Sequence, residues 1–179
     1  MYKHCTTEES ALRQRQFEKC LLTLMNTVPY SSITIAQICQ QLDVSRKSFY
    51  RYFGSKDGCL CALLDHCIID GASYYLPEHY KQEQSHVLYE RFFEYWKQMA
   101  PILDVLSRNN LSLLLVERMM HYVNQEEQDF HYYLGSSDSY EQMLFMVSGI
   151  MGLVLNWHQR GFNKTSSQMA SILGKVIRN

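Results

Sequence analysis

A chain of 179 residues, 46% apolar and 20% charged, can bury a sizeable core and has the make-up of a folded protein rather than a disordered one. Its 17 Lys and Arg face 18 Asp and Glu, but the balance is uneven: residues 1–60 carry a net +3 and residues 61–179 a net −4. That asymmetry points to a first part that meets a polyanion and a remainder that does not.

In chain order, the opening MYKHCTTEESALRQRQ has no long apolar run, so no signal peptide is expected. A first helix is expected from about Thr7 to Thr27, with Leu12, Phe17, Leu21 and Leu24 or Met25 inward and Pro29 beyond its end. Thr34 has the character of an N-cap, with Gln37 three residues on completing a capping box. That short helix should end near Leu42. Ser45 should cap the next, and GSKDG interrupts it, with Ser55 capping a fourth helix whose first turn holds Asp57. The fourth carries a stripe of Leu60, Leu63, Leu64, Cys67, Ile68 and Tyr75 and stops before Pro77.

SHVLYERFFEYWKQMA, a break at Pro101 and ILDVLSR follow. A long helix is expected from about Leu111 to Tyr133 and an apolar one from about Ser139 to Arg160, closed by Gly161 as a C-cap. A last helix should begin near Ser166 or Ser167. The apolar run Met143–Leu155 is shorter than the roughly 18 residues a membrane span needs, and no membrane partner is expected. There is no repeat and no convincing strand. The expected fold class is all-α, with about nine helices.

Six cysteines occur without a CxxC pair, which suits reduced thiols in a cytoplasm. Cys59 and Cys61 lie near His66 and Cys67, but on a helix they point about 200° apart and cannot easily share one ion. Neither a metal nor a cofactor is expected.

The stretch DVSRKSFYRYFGSKDG holds the chain's most distinctive chemistry. From Val44 to Lys56 it carries Arg46, Lys47, Arg51 and Lys56 and no acid, with Phe49, Tyr50, Tyr52 and Phe53 threaded between them. Thr34 to Phe53 reads as a short helix, a tight turn at Asp43 and a second short helix. Ile35, Ile38, Leu42, Val44, Phe49 and Phe53 can form the core between them, and Cys39 is small enough to let them approach. This is a helix-turn-helix, whose second helix enters the major groove of DNA. Lys and Arg then neutralise phosphates or read guanine edges, and hydroxyls at helix starts reach phosphate oxygens. The blander reading is a solvated basic helix over core aromatics; Phe49 and Phe53 suit the core, Tyr50 suits the surface, and Tyr52 is ambiguous.

The segment TIAQICQQLDVSRKSFYRYFGSKDGCLCALL resembles the N-terminal domain of the TetR family of bacterial transcriptional regulators. Thr34 opens the second helix, Ile38–Cys39 stands for an Ile-Ala pair and Asp43–Val44–Ser45 for a Gly-Val-Ser turn. Tyr50 and Phe53 give the Tyr-x-x-Phe of the recognition helix, and Ser55–Lys56–Asp57 opens the fourth. The likeness covers about residues 8–65. Asp43 departs from the usual glycine but tolerates positive φ. SRKSFY together with GIMGLVLNWHQRGF also resembles, more loosely, a subgroup that includes dihydroxyacetone-kinase-type regulators.

The resemblance implies a DNA-binding domain over residues 1–54 and a ligand-binding and dimerisation domain over residues 55–179. It implies DNA contacts at Thr34, Ser45, Arg46, Lys47, Ser48, Tyr50, Arg51, Tyr52 and Lys56, with Lys47 and Ser48 nearest base edges. Thr34, Tyr50, Tyr52 and Lys56 are assigned to phosphates, and Arg46 to either.

One helix-turn-helix reads few base pairs, so a dimer on two half-sites is expected. The 139–160 helix is apolar nearly all round, and Gly149 and Gly152 would let another helix approach. With the last helix it offers Met146, Gly149, Ile150, Leu153, Trp157, Met169, Ile172, Leu173 and Val176 as a homodimer surface. A small-molecule effector, apolar or aromatic, would bind among Phe92, Tyr95, Trp96, Met99, Met119, Tyr122 and Phe145, residues that serve equally well as ordinary core.

No nucleophile elbow, phosphate-cradling glycine loop, HExxH or EF-hand pattern occurs, and the run Glu126, Glu127, Asp129 reads as a solvated face, so no enzyme is expected. The expected function is a cytoplasmic repressor released from a near-palindromic operator by its effector. The alternatives are a helical protein-interaction module without sequence-specific DNA binding, and a ligand-independent or activating member of the family.

Overall fold

The computed structural model describes residues 2–76, 84–125 and 140–177. Among them run nine α-helices: α1 Glu8–Met25, α2 Ile35–Gln41, α3 Arg46–Tyr50, α4 Lys56–Tyr75, α5 Ser85–Gln98, α6 Ala100–Arg108, α7 Ser112–Gln125, α8 Tyr140–Gln159 and α9 Ser166–Ile177. A single 3-10 turn occupies Tyr30–Ser32, and the β structure among the described residues is one isolated antiparallel bridge, Tyr2 to Phe53. The all-α expectation holds. The expected stop at Pro77, the run to Tyr133, the start at Ser139, and Glu126, Glu127 and Asp129 lie outside the described residues. No helix among those described is long and apolar enough to cross a membrane.

Three helices end in the same way, for a reason local to each. After α2, Asp43 takes φ 51; its N–H donates to the Gln40 carbonyl and the Val44 N–H to the Cys39 carbonyl. After α6, Asn110 takes φ 56, with its N–H on Ser107 and the Leu111 N–H on Leu106. After α8, Gly161 takes φ 64, with its N–H on His158 and the Phe162 N–H on Trp157. Each is a Schellman turn, which satisfies the last carbonyls of the helix at the cost of one left-handed residue in the first two and two in the third, where Phe162 takes φ 55. In the third, the rings of Phe162 and Trp157 meet edge to face at 4.8 Å, the apolar contact that accompanies this turn.

The chain divides into two compact units, Met1–Cys67 and Ile68–Asn179. The expected division after residue 54 falls too early, because the first three turns of α4 belong to the first unit. Lys56 Nζ donates to the carbonyls of Tyr30 and Ile33, and Tyr2 donates its hydroxyl to Asp65 Oδ2 at 2.7 Å. Glu18 Oε2 lies 2.9 Å from His66 Nδ1. Ending the unit at residue 54 would strip these partners away and expose Cys59, Leu60 and Leu64, all buried.

The core of the first unit is built from α1, α2, α3 and the start of α4. Phe17, Leu21, Ile38, Phe49, Phe53, Leu60 and Leu64 are buried there. Leu12, expected inward, is 60% exposed, while Gln14 and Glu18 on the same helix are buried. Burial holds the thiols of Cys20, Cys39 and Cys59 above their ordinary 9.0, so all three stay protonated.

In the second unit α9 lies along α5, and α7 packs against α8. A connected set of rings fills the space: Tyr75 on Phe92 at 5.2 Å, Phe92 on Phe93 at 5.4 Å, Tyr95 on Trp96 at 5.6 Å and Phe93 on Trp157 at 5.6 Å. Gly71 is required beneath this set, since a Cβ there would lie 2.6 Å from Tyr95 Cε1. Pro101 sits in the first turn of α6, where its missing N–H costs nothing, and Met99 serves both as the last cap of α5 and the first of α6. Thr165, rather than Ser166 or Ser167, caps α9: its Oγ1 accepts from the Gln168 N–H at 3.2 Å and its own N–H donates to Gln168 Oε1.

Candidate nucleic-acid interface

The helix-turn-helix is assembled by local chemistry. Thr34 and Gln37 form the full capping box of α2, and Ser45 Oγ accepts the Ser48 N–H at 3.3 Å to start α3. The Schellman turn at Asp43 sets the angle between the two helices. Phe49 then anchors α3, edge to face on Phe17 at 5.5 Å and 5.0 Å from Phe53.

With Phe49 fully buried, the opposite side of α3 is forced outward. Arg46, Lys47 and Arg51 are exposed, and none has a carboxylate partner among the described residues. Tyr50 is 53% exposed beside them. Unneutralised cations and a phenol on a helix a few residues long suit a polyanion with edges to read.

The other expected contact residues divide. The Thr34 hydroxyl accepts from the Gln37 N–H and donates to Gln37 Oε1, so its first duty is to cap α2. Ser45 and Ser48 share a hydroxyl hydrogen bond of 3.2 Å. Tyr52, left ambiguous by the sequence, is 8% exposed: its ring lies 5.9 Å from Phe17 and 6.2 Å from Phe53, which makes it largely core. Lys56 is engaged as well. Its ammonium donates at 2.6 Å and 2.8 Å to the carbonyls of Tyr30 and Ile33 and stands 4.2 Å over the Tyr30 ring, leaving one of three donors for any phosphate. Tyr30 in turn donates to Asp57, and burial with that carboxylate raises its pKa.

Beside α3 lies a groove of about 530 Å³ bounded by residues 3–7, the start of α1 and the end of α3. Lys3 and Arg13 border it and were not singled out by the sequence. Their signal was weak, a lone lysine and one arginine on a polar helix face.

In the second unit, the residues expected to line an effector pocket are mostly packed. Phe92, Tyr95, Trp96 and Met119 are buried, Met99 and Tyr122 half-buried. Phe145 departs from that expectation: it is 76% exposed on α8. Of the expected dimer surface, Ile150, Trp157, Met169 and Leu173 are instead buried within the chain, because α8 and α9 turn that side to their own core. Met146, Leu153 and Ile172 are half-buried, and Gly149 and Val176 exposed. Tyr140, Leu144 and Phe145 join them, and a Cβ added at Gly149 or Gly152 would meet nothing within 4 Å.

Residues 22–63 match the family model described as bacterial regulatory proteins, tetR family. No curated protein matches the chain. Among solved structures the fold is similar to the fatty acid degradation regulator FadR from Bacillus halodurans, at TM-score 0.61 and 14% identity over 92% of this chain and 94% of that one. It is also similar to the TetR family repressor AlkX from Dietzia sp. strain DQ12-45-1b, implicated in biodegradation of n-alkanes, at TM-score 0.58 and 12% identity over 92% and 93%. The dihydroxyacetone kinase operon activator DhaS matches at TM-score 0.53 and 16% identity, again over 92% and 93%.

Proposed function

We propose that the chain is a regulator of the TetR family, whose model its residues 22–63 match, and that it acts as a cytoplasmic, homodimeric, sequence-specific repressor that an effector releases from a near-palindromic operator. The observation that carries the reading is the outward face of α3. Arg46, Lys47, Tyr50 and Arg51 stand exposed on a helix pinned from behind by Phe49. Lys47 and Ser48 lie in its first turn, the part of a recognition helix that meets base edges.

Selection of random duplex oligonucleotides on the purified protein should enrich an inverted repeat. Lys47→Ala should lose that enrichment, weakening specific binding by about 1–3 kcal/mol, and Tyr50→Ala should weaken it by about 0.5–1.5 kcal/mol. Both variants should melt like wild type, since neither side chain is buried. Unchanged operator affinity in both would remove these residues from the interface. Failure to enrich any sequence, with folded protein at low salt, would favour a helical protein-interaction module.

The dimer reading rests on the apolar face of α8. Leu144, Phe145, Gly149 and Gly152 are exposed on its outward side, and on α9 Val176 is exposed and Ile172 half-buried. An apolar face of this kind calls for a second helix, and two symmetric copies supply one each. Phe145→Glu should leave the helical content unchanged and convert the protein to a monomer in light scattering. A dimer that persists in that variant would place the interface elsewhere.

An effector is proposed within the second unit, among Phe92, Tyr95, Trp96, Met99, Met119 and Tyr122. Support comes from Trp96, whose indole N–H is buried and has no acceptor among the described residues. A buried donor without a partner costs about 1–3 kcal/mol, and a flat apolar ligand bearing one acceptor would recover it. Such a ligand shifts the operator equilibrium only by its difference in affinity for the two states.

A further inference from the structure

The groove beside α3 is bordered by a stretch of chain that the helix-turn-helix does not include. Residues 2–6 run along the end of the recognition helix and are held at several points. The Lys3 N–H donates to the Tyr52 carbonyl at 2.9 Å, Tyr2 bridges to Phe53, and the Tyr2 hydroxyl reaches Asp65. The most telling support is Gln14, a polar side chain only 2% exposed on α1. Its Nε2 donates to the Lys3 carbonyl at 3.3 Å, and its Oε1 accepts from Cys5 Sγ at 2.9 Å. A buried amide on a helix face is costly unless bonded, and both its bonds go to this arm. The arm is therefore fixed in place beside α3, with its side chains presented in a set order.

The charge around the groove is mainly positive. Lys3, Arg13 and Arg51 line it with His4, and Glu9 is the one carboxylate on its wall. None of the three cations has a carboxylate partner among the described residues. Ser48 and Tyr52 connect the groove to α3. Three free cations converging on a preformed polar groove suit a phosphodiester, and the groove adjoins the surface already assigned to base edges.

We propose that this groove seats the sugar-phosphate backbone of duplex DNA, held by Lys3 and Arg13 together with Arg51, so that the arm of residues 2–6 is a working part of the DNA-binding surface. The inference rests on the regulator reading above and extends it to residues outside the helix-turn-helix. Phosphate contacts position a protein without reading sequence, so these residues act on affinity and salt dependence rather than base choice.

The test measures affinity against salt for the selected operator and for a scrambled duplex, using wild type, Lys3→Gln, Arg13→Gln and Lys47→Ala in the full chain. Lys3→Gln and Arg13→Gln should each weaken both duplexes by a similar factor, about 5- to 20-fold, and each lower the slope of log affinity against log salt by about 0.9. Lys47→Ala should instead weaken the operator far more than the scrambled duplex. Thermal melts equal to wild type keep the two groove variants, Lys3→Gln and Arg13→Gln, interpretable, since both side chains are exposed. If they bind like wild type with unchanged slope while Lys47→Ala loses the operator, the regulator reading stands and the groove proposal falls. If wild type binds no duplex, both fall. Saturable binding of inorganic phosphate at constant ionic strength, lost in the groove variants whose duplex affinity is unchanged, would overturn the proposal in favour of a small-anion site.

Discussion

Truncation of Phe49 to alanine is expected to remove about 3–5 kcal/mol from the stability of the first unit. Phe49 is fully buried, on the helix that carries exposed Arg46 and Lys47, and it touches both Phe17 and Phe53. A five-residue helix has too few internal hydrogen bonds to persist alone, so α3 exists because this ring holds it to α1. A domain is stable by only about 5–15 kcal/mol, so the loss is a large share of the whole. Urea unfolding should show a lowered midpoint, and operator binding should fall with it even though Phe49 touches no DNA. Tyr50→Ala, one residue on, is the internal contrast: binding weakens while the midpoint stays. A Phe49→Ala loss below about 1 kcal/mol would mean that α3 is anchored by something other than this cluster.

The second large effect is expected at His66. Glu18 lies in the middle of α1 with a side chain of 0% exposure; Oε2 is 2.9 Å from His66 Nδ1, and Oε1 has no hydrogen-bond partner among the described residues. His66→Ala leaves a buried carboxyl without its side-chain partner and should cost about 3–5 kcal/mol, the range for breaking a buried pair from one side. Replacing both, Glu18→Leu with His66→Ala, removes the stranded group and should recover most of that loss. Urea melts of the two single variants and the double variant form the cycle that checks this. A double variant as unstable as His66→Ala would show that the loss comes from packing around His66, not from the carboxyl.

The two effects differ in how visible they are from sequence. Phe49 is readable: two aromatics four residues apart, flanked by cations, can only put Phe49 and Phe53 inside and the charges outside. The turn at Asp43 and the cap at Gly161 are readable too, because a Schellman turn depends on residues within six of one another. Asn110 makes the same turn after α6 and went unread, although Asn also tolerates the left-handed region. The Glu18–His66 pair is not readable, since 48 residues separate its members and nothing in α1's own pattern calls for a buried acid there.

The same distinction explains which of the expected DNA-contact residues are exposed and which are engaged within the chain. Arg46, Lys47, Tyr50 and Arg51 follow from the face of one helix. Tyr52 and Lys56 depend on elements elsewhere in the chain. Tyr52 is covered by Phe17, and Lys56 is drawn in by carbonyls 23 and 26 residues before it. On α8, periodicity identified an apolar helix but could not say which side the protein itself covers. Ile150 and Trp157 went inward and Phe145 outward because, among the described residues, α5, α6 and α7 pack against one side of α8.

The sequence by itself determined the all-α class, the caps of α2 and α3, the helix-turn-helix and the cationic face of α3. Each of these is settled within a turn or two of helix, where a residue's partners are its near neighbours. Only the tertiary structure decided that the first unit runs on to Cys67, that Glu18 and Gln14 are buried, and that residues 2–6 lie beside the recognition helix. Those outcomes turn on contacts across 11 to 63 residues, as between Gln14 and Lys3 or Tyr2 and Asp65. At such separations the pairing is chosen by how the helices pack, and no local pattern carries it.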